Sequence, residues 1–230
     1  MRLYTIGDLH LSFGCSKPMD IFGDKWADHT QKLIESFSNM NVDDVTVICG
    51  DSSWGMHIEE CLADFAFIDK LPGQKILLKG NHDYWWNTMN KTMSFLKNNG
   101  ISSIRILNNN SFEFGDYSIC GTRGWFYEEG SGVLHDKKIL DREILRLKTS
   151  LESAKKENKI VFLHYPPIYR DFRCSEIIDL LKFHNVRKCY YGHIHGKGIK
   201  SAFNGWCDGI EFKLVSADAL SFNPFMVIEQ

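Results

Sequence analysis

The sequence predicts a single α/β domain, and three observations carry that prediction. Short apolar runs rich in β-branched residues alternate with longer stretches whose apolar residues recur at helical spacing. Hydrophobic residues make up 43% and charged residues 24% of the 230 positions, a composition that forms a core and excludes wholesale disorder. No Pro-, Gly- or Ser-rich linker and no internal repeat divides the sequence, so we expect residues 1–230 to form one domain.

Nine runs are predicted to be strands because their apolar and β-branched residues stand between turn-forming residues. In order along the chain they cover residues 2–7, 44–49, 75–79, 103–107, 117–121, 159–164, 187–191, 210–215 and 224–229. No helical stretch separates the last two runs. We therefore expect the chain to end in an antiparallel meander.

Three segments between these strands have the apolar spacing of amphipathic helices. The expected buried faces are Trp26, Thr30, Leu33, Ile34 and Phe37 in a helix over residues 24–39, then Ile58, Leu62, Phe65 and Ile68, and then Leu140, Ile144, Leu147, Leu151 and Ala154. Residues 12–23 and 122–135 fit no period. Loops of this length within a compact domain are usually functional or disordered.

Charge and cysteine usage exclude several classes of protein. The 27 Lys and Arg residues against 29 Asp and Glu give a net charge of −2, so we expect no stable binding to nucleic acid. The seven cysteines contain no C-x-x-C pair, which argues against a disulfide scaffold and favours reduced thiols in the cytoplasm. The N-terminus lacks a signal-peptide core, and no apolar run is long enough to span a membrane, so a soluble, unprocessed protein is expected.

Metal-binding residue types follow five of the predicted strands. The segments are Asp8-Leu9-His10, Gly50-Asp51, Gly80-Asn81-His82-Asp83, His164 and Gly192-His193-Ile194-His195. In open α/β sheets, ligand sites collect beyond the carboxyl ends of the strands, so these segments are expected to converge. Residues two apart on an extended chain point the same way, which lets each D-x-H or H-x-H pair face one site.

The chemistry of this set indicates a transition-metal site. Carboxylates, imidazoles and a side-chain amide without thiolate suit Mn, Fe or Zn better than Ca or Mg. Each motif alone is weak evidence, because Gly-Asp after a strand is ordinary turn sequence and a lone His is more often a core residue. Their joint occurrence at strand ends favours the metal site. The candidate donors in these segments also outnumber the four ligands of a purely structural zinc site.

Together these motifs resemble those of the calcineurin-like metallophosphoesterase superfamily, and residues 79–86 and 121–125 resemble a bacterial branch of predicted phosphohydrolases. The resemblance implies a four-layer α-β-β-α sandwich of two mixed sheets flanked by helices. It also implies two divalent metal ions. One would be held by Asp8, His10, Asp51 and His195, and the other by Asp51, Asn81, His164 and His193, with Asp51 bridging. The family often has an acidic residue where this chain has Trp54.

The activity implied is hydrolysis of a phosphate mono- or diester by a metal-bridging hydroxide, on a small phosphorylated substrate such as a nucleotide. We expect His82 to assist the leaving group as a general acid, with Asp83 orienting its imidazole. Arg123 is a candidate phosphate ligand or a solvated loop residue. The alternative is an inactive scaffold or interaction module with the same fold. Mono- and diesterase activity, the metals and the oligomeric state stay open.

Several residues near the motifs have weaker assignments. An aromatic group is expected either to form a stacking wall for a substrate ring or, more often, to pack in the core: Trp54, Tyr84, Trp85, Trp86 and Trp125. Asp20 and His135 are minor loop candidates. His29, His57 and His184 match no motif and are expected to be structural or surface residues.

Overall fold

The computed structural model describes residues 1–125 and 133–230, with the backbone alone for residues 133–135. Its strands are β1 (Arg2–Ile6), β2 (Val45–Ile48), β3 (Gln74–Leu77), β4 (Ile104–Ile106), β5 (Phe112–Phe114), β6 (Tyr117–Thr122), β7 (Asn158–Leu163), β8 (Ile168–Tyr169), β9 (Phe172–Arg173), β10 (Lys188–Tyr191), β11 (Gly205–Cys207), β12 (Ile210–Leu214) and β13 (Phe225–Glu229). Its α-helices are α1 (His29–Phe37), α2 (Leu62–Lys70), α3 (Met89–Asn98), α4 (Val133–Glu152) and α5 (Ser175–Phe183). The nine predicted strands are present, with ends shifted by at most two residues.

The large strands form two mixed sheets. The first has the order β13-β1-β2-β3-β4, in which only the β13–β1 pair is antiparallel. The second has the order β11-β12-β10-β7-β6-β5, in which the outer strands β11 and β5 are antiparallel to their neighbours. The parallel strands in the middle of each sheet place all their carboxyl ends at one edge. This edge holds the candidate site.

Alternation of side chains along the strands produces four layers. Leu3 and Val47 of the first sheet pack against Phe162 and Tyr190 of the second, which fills the space between the sheets. The opposite face of the first sheet packs against α1, α2 and α3, and the opposite face of the second packs against α4 and α5. The structure therefore confirms the expected sandwich of two mixed sheets flanked by helices.

The expected C-terminal meander is wrong. β12 lies in the second sheet, parallel to β10, whereas β13 pairs with β1 in the first sheet. The connection between them crosses from sheet to sheet, and on the way the N–H of Gly7 donates to the carbonyl of Val215 over 2.7 Å. The sequence of two consecutive strands does not show whether the strands lie in the same sheet.

The helix predictions were correct in part. The segment expected to be one helix over residues 24–39 is a 3-10 turn at Asp24–Trp26 followed by α1, because Asp28 has a φ of 52° and interrupts the helix. Leu33 and Phe37 are buried as expected, but Ile34 is 46% exposed. α4 begins at residue 133, inside the expected loop, and α3 and α5 were not predicted. Among the described residues, no helix is both long and apolar enough to cross a bilayer.

Candidate metal centre

The structure brings the seven predicted metal ligands together where the two sheets meet. β1, β2 and β3 are neighbours in the first sheet, and β7 and β10 are neighbours in the second. The loops that follow these five strands carry Asp8, His10, Asp51, Asn81, His164, His193 and His195. Residues as far apart as 8 and 195 thereby contribute to one site.

The first group of donor atoms comes from Asp8, His10, Asp51 and His195. Nε2 of His195 lies 3.2 Å from Oδ1 of Asp8 and 3.4 Å from Nε2 of His10. The same His10 nitrogen lies 3.8 Å from Oδ2 of Asp51. Asp8, His10 and Asp51 are buried, whereas the His195 side chain is 29% exposed, so this group opens toward solvent on the His195 side.

The second group of donor atoms adjoins the first through Asp51. Nε2 of His164 lies 3.6 Å from Oδ2 of Asp51 and 2.6 Å from Oδ1 of Asn81. Nδ1 of His193 lies 3.0 Å from the same Asn81 oxygen. Oδ2 of Asp51 therefore faces one imidazole from each group.

These residues fit divalent metal ions. Ligand atoms that each lie about 2.0–2.2 Å from one ion are separated from each other by about 3–3.6 Å, close to the separations within both groups. Burial, followed by the nearby charges of Asp83 and Asp8, raises the pKa of Asp51 well above its usual range, although His164 opposes this shift. A cation at Oδ2 would offset that unfavourable electrostatic environment.

Hydrogen bonds on the outer side of two imidazoles set the nitrogen that each presents to the site. Nδ1 of His164 lies 2.9 Å from the carbonyl oxygen of Cys49 and is therefore the protonated nitrogen, which leaves the lone pair of Nε2 available to a metal ion. Nδ1 of His195 lies 3.0 Å from Oδ1 of Asp218. Burial lowers the pKa of His195, but Asp8 and Asp218 outweigh it and raise that pKa to about 10.

Asp218 was missed by the sequence analysis. It is buried, and its second carboxylate oxygen accepts a hydrogen bond of 2.8 Å from the N–H of Gly196. It follows β12 by four residues, so the available signal was an acidic residue shortly after a strand, which is too common to stand out. Metal-binding histidines often have such a carboxylate behind them.

The loops that carry the ligands have an unusual backbone. Four of the seven residues have positive φ angles: 60° at Asp8, 47° at His10, 49° at Asp51 and 71° at His193. Non-glycine residues seldom adopt this left-handed region, and it is concentrated at functional sites.

Close packing also determines which residue type can stand directly before two of the candidate ligands. A β-carbon at position 80 would collide with the Asp51 carboxylate, and one at position 192 would lie 2.5 Å from an oxygen of Asp8. Glycine is therefore required at both positions for the strand-end loops to approach each other. The G-N-H-D and G-H-x-H motifs thus include their glycines for a steric reason.

His82 lies at the wall of the site. Its backbone N–H donates to Oδ1 of Asp51 over 2.8 Å, while its imidazole lies 5.9 Å from that of His10 between ring centroids. Burial, reinforced by the charges of His164 and Lys17, lowers the pKa of His82 to about 4.

The contacts of Asp83 differ from the expected contact with His82. Its buried carboxylate accepts hydrogen bonds from the backbone N–H groups of Asp51, Ser52 and Gly80, from the Ser52 hydroxyl and from the Trp85 indole. These bonds measure 2.7–3.0 Å. Asp83 thus joins the loops that follow β2 and β3 and acts on the ligands through the backbone.

Arg123, the candidate phosphate ligand, contacts other protein groups in this structure. Its guanidinium pairs with the buried carboxylate of Glu143 over 3.3 Å and lies over the Trp125 ring. Its carbonyl oxygen accepts hydrogen bonds from the N–H groups of His164 and Tyr165. Its described contacts therefore support the loop that holds His164.

A cavity of about 310 Å³ opens onto the candidate ligands. Its lining combines Gly196 and the polar residues His10, Asp51, His82, His193 and His195 with the apolar side chains of Met19, Phe22, Trp26 and Trp54. Met19 and Phe22 belong to residues 12–23, the segment that fitted no period. That segment forms a wall of the site.

The other sequence candidates lie away from this cavity. Trp85 is buried in the core and Tyr84 is 56% exposed. Trp86 and Trp125 pack against core clusters, and Asp20 is an exposed residue of the 3-10 turn Met19–Phe22. The His135 side chain lies outside the described residues. Of the aromatic candidates, only Trp54 lines the cavity, and His10 already stacks on it with 4.6 Å between ring centroids.

Comparison with solved structures finds the same fold at low sequence identity. A phosphopantetheinyl hydrolase from Mycobacterium tuberculosis matches with a TM-score of 0.59 and 14% identity over 100% of this chain and 96% of that chain. A protein of unknown function from Aquifex aeolicus matches with a TM-score of 0.52 and 16% identity over 98% of this chain and 95% of that chain. These matches show the fold alone.

The sequence comparisons identify the family. No curated protein matches the sequence. The family model described as calcineurin-like phosphoesterase matches residues 1–197, which include all seven predicted ligands and His82. The chain therefore belongs to the calcineurin-like phosphoesterase family.

Proposed function

We propose that this protein is a dinuclear metal-dependent phosphoesterase that hydrolyses a small phosphate mono- or diester. The position of Asp51 carries the proposal, because its Oδ2 lies 3.8 Å from Nε2 of His10 and 3.6 Å from Nε2 of His164. One carboxylate oxygen thus adjoins both groups of donor atoms. Mn, Fe or Zn suits these nitrogen and oxygen donors.

When bound, two such ions supply Lewis acidity and an activated water for attack on phosphorus. The protein provides the geometry. Backbone N–H groups hold the carboxylates of Asp8 and Asp51 in place, with bonds of 3.0 Å and 3.1 Å from His193 to Asp8 and 2.8 Å from His82 to Asp51. The cavity beside them receives the ester, and its apolar wall limits the access of water.

His82 is the proposed proton donor to the leaving group. It lines the cavity directly beside the donor groups, and among the described residues its imidazole makes no hydrogen bond to protein. Burial keeps the ring neutral at neutral pH in the free protein. A phosphate ester next to the ring carries negative charge, which favours the protonated form, so substrate binding would raise the His82 pKa toward the range useful for general acid catalysis.

Metal content and turnover test the proposal together. Purified protein is loaded with Mn²⁺, and bound metal is measured alongside hydrolysis of p-nitrophenyl phosphate and bis(p-nitrophenyl) phosphate. We expect two metal ions per chain and turnover of at least one ester. Asp51→Asn and His164→Ala should each remove most of the turnover, whereas His57→Ala, at an exposed histidine outside the site, should leave it unchanged.

Two outcomes would contradict the proposal. Folded protein that binds no metal and hydrolyses neither ester would instead support the inactive scaffold. Full activity in Asp51→Asn would exclude the proposal that two metal ions share the Asp51 carboxylate. The seven free cysteines are consistent with the expected cytoplasmic location, which a thiol-trapping experiment on cells would check.

A further inference from the structure

We infer that the cavity beside His82 selects phosphate esters of compact apolar alcohols, aromatic ones included, over esters of hydroxylated alcohols such as sugars or glycerol. The inference rests on the proposed function and adds the class of substrate. It follows from how polar and apolar groups divide the cavity.

The polar side chains that line the cavity are imidazoles and one carboxylate. They belong to the candidate ligands and to His82, so they would bind the metal ions and the phosphate. The other lining side chains, which form the apolar wall, are those of Met19, Phe22, Trp26 and Trp54. The organic part of a bound ester, directed away from the ligands, therefore meets sulfur and aromatic carbon.

This apolar wall is built before any substrate binds. Met19 and Trp26 are 5% and 4% exposed, and Trp26 packs edge-on against Phe222 with 5.2 Å between ring centroids. The indole N–H of Trp54 is directed at Sδ of Met19 over 3.1 Å. The segment that carries Met19 is anchored near its start, where the N–H of Phe13 donates to Asp64 over 2.8 Å.

Such a wall discriminates against hydroxyl groups. The Trp54 indole N–H is already engaged with Met19, so it is not free to bind a substrate hydroxyl. The Lys17 ammonium lies over the Trp54 ring, 3.0 Å from its centroid, but Lys17 does not line the cavity. At the apolar side chains of the lining, a sugar or glycerol group would lose its hydration without replacement hydrogen bonds, whereas a phenyl or short alkyl group would bury apolar surface. The volume of about 310 Å³ suits a small molecule.

The test compares two esters and two binding probes. For the Mn-loaded wild type we expect kcat/KM for benzyl phosphate to exceed that for glycerol phosphate at least ~10-fold, the scale on which apolar pockets discriminate. The dissociation constants of benzylphosphonate and 2,3-dihydroxypropylphosphonate, which are not hydrolysed, should differ in the same direction. The phosphonates report on binding without turnover.

A substitution at Phe22 tests whether the apolar wall causes this preference. Phe22 is 57% exposed, so its replacement should not disturb the core. In Phe22→Ser the preference for the benzyl compounds should fall ~3- to 5-fold. Ile21→Ser is the matched control, since Ile21 belongs to the same turn, is 69% exposed and does not line the cavity. It should keep the wild-type preference.

The outcomes separate the two proposals. If both phosphonates bind equally well and both esters are hydrolysed at similar rates, the apolar selection is wrong while the phosphoesterase stands. A benzyl preference that Phe22→Ser leaves intact would also overturn the inference, because the wall would not be its source. If no ester is hydrolysed and no phosphonate binds, the proposed function itself fails.

Discussion

Asp218 and His195 form a pair in which Oδ1 of the buried carboxylate lies 3.0 Å from Nδ1 of the partly exposed imidazole. Asp218 follows β12, whereas His195 follows β10, and these two strands are parallel neighbours in the second sheet. The pair leaves Nε2 of His195 directed toward Asp8 and His10. Sheet pairing thus sets the orientation of a proposed ligand.

Replacement of Asp218 by Asn should weaken metal binding while the fold is retained. The amide keeps the shape but removes the charge that orients His195 and strengthens it as a ligand, and such outer partners are typically worth about 10–100-fold in metal affinity. Competition with a chromogenic chelator measures the change. Asp116→Asn, at an exposed turn, is the control and should bind metal as the wild type does. Equal affinity in both variants would show that Asp218 has no such role.

Asp83→Asn should impair the site through the backbone. The amide group would direct N–H toward donors that now meet a carboxylate, so we expect a loss of about 2–4 kcal/mol in the free energy of unfolding. Urea denaturation measures the loss, with exposed Asp43→Asn as control.

A double variant tests whether Asp83 acts through His82. If Asp83 holds the loops, Asp83→Asn should reduce kcat further in a His82→Ala background. If Asp83 instead served only to orient His82, the second substitution would add nothing to the first.

Lys75 is a buried cation whose titration should be visible in stability. Its ammonium donates to the carbonyl of Asp69 in the last turn of α2 and to those of Leu71 and Gly73 beyond the helix, and burial lowers its pKa to about 8. Between pH 8 and its usual pKa of 10.5, the unfolded chain binds the proton that the folded protein has released, so this group's contribution to stability rises with pH.

Lys75→Met should therefore be destabilised by about 2 kcal/mol at neutral pH, because three carbonyls lose their donor. The difference in free energy of unfolding between the variant and the wild type should grow by on the order of 1 kcal/mol between pH 8 and 10, after allowance for screening by solvent. Urea denaturation at each pH measures this difference. Exposed Lys70→Met is the control and should show neither effect. If the stability deficit of Lys75→Met instead shrank between pH 8 and 10, the expected rise of the Lys75 contribution with pH would be wrong.

The cysteines should divide into two reactive and five protected thiols. Cys15 and Cys207 are partly exposed and the other five are buried. Burial raises the thiol pKa to about 12 at Cys61 and Cys120 and to about 11 at Cys174, which suppresses the reactive thiolate. Native protein should react quickly with about two equivalents of Ellman's reagent, and a Cys15→Ser, Cys207→Ser variant with none. Fast reaction of the double variant would place a third thiol at the surface.

The strands and the positions of the candidate ligands could be predicted from sequence because their signals are local. A β-branched run such as residues 159–164 has few other conformations available, and D-x-H or H-x-H directly after such a run places donors at a strand end. Convergence then followed from one general property of parallel sheets.

What could not be predicted depends on contacts between distant residues. Asp83 was expected to serve its neighbour His82, yet its hydrogen-bond partners include residues 51 and 52, more than thirty positions earlier. Arg123 was expected to bind phosphate or to lie in solvent, and its ion pair with Glu143, twenty positions later, could not be predicted. Met19 and Trp26 carried no motif at all, and only the folded chain shows that their segment faces the site.

The left-handed backbone at Asp8, His10, Asp51 and His193 has a consequence for laboratory evolution. At each of these positions glycine would adopt the same angles without a steric penalty. Each such glycine would remove a candidate ligand, and at Asp8 and Asp51 it would also leave the N–H groups of His193 and His82 without their acceptors. A library selected for turnover should therefore retain all four residues despite the strained backbone. At these strand ends the backbone angles favour glycine, whereas the proposed catalysis requires the side chains.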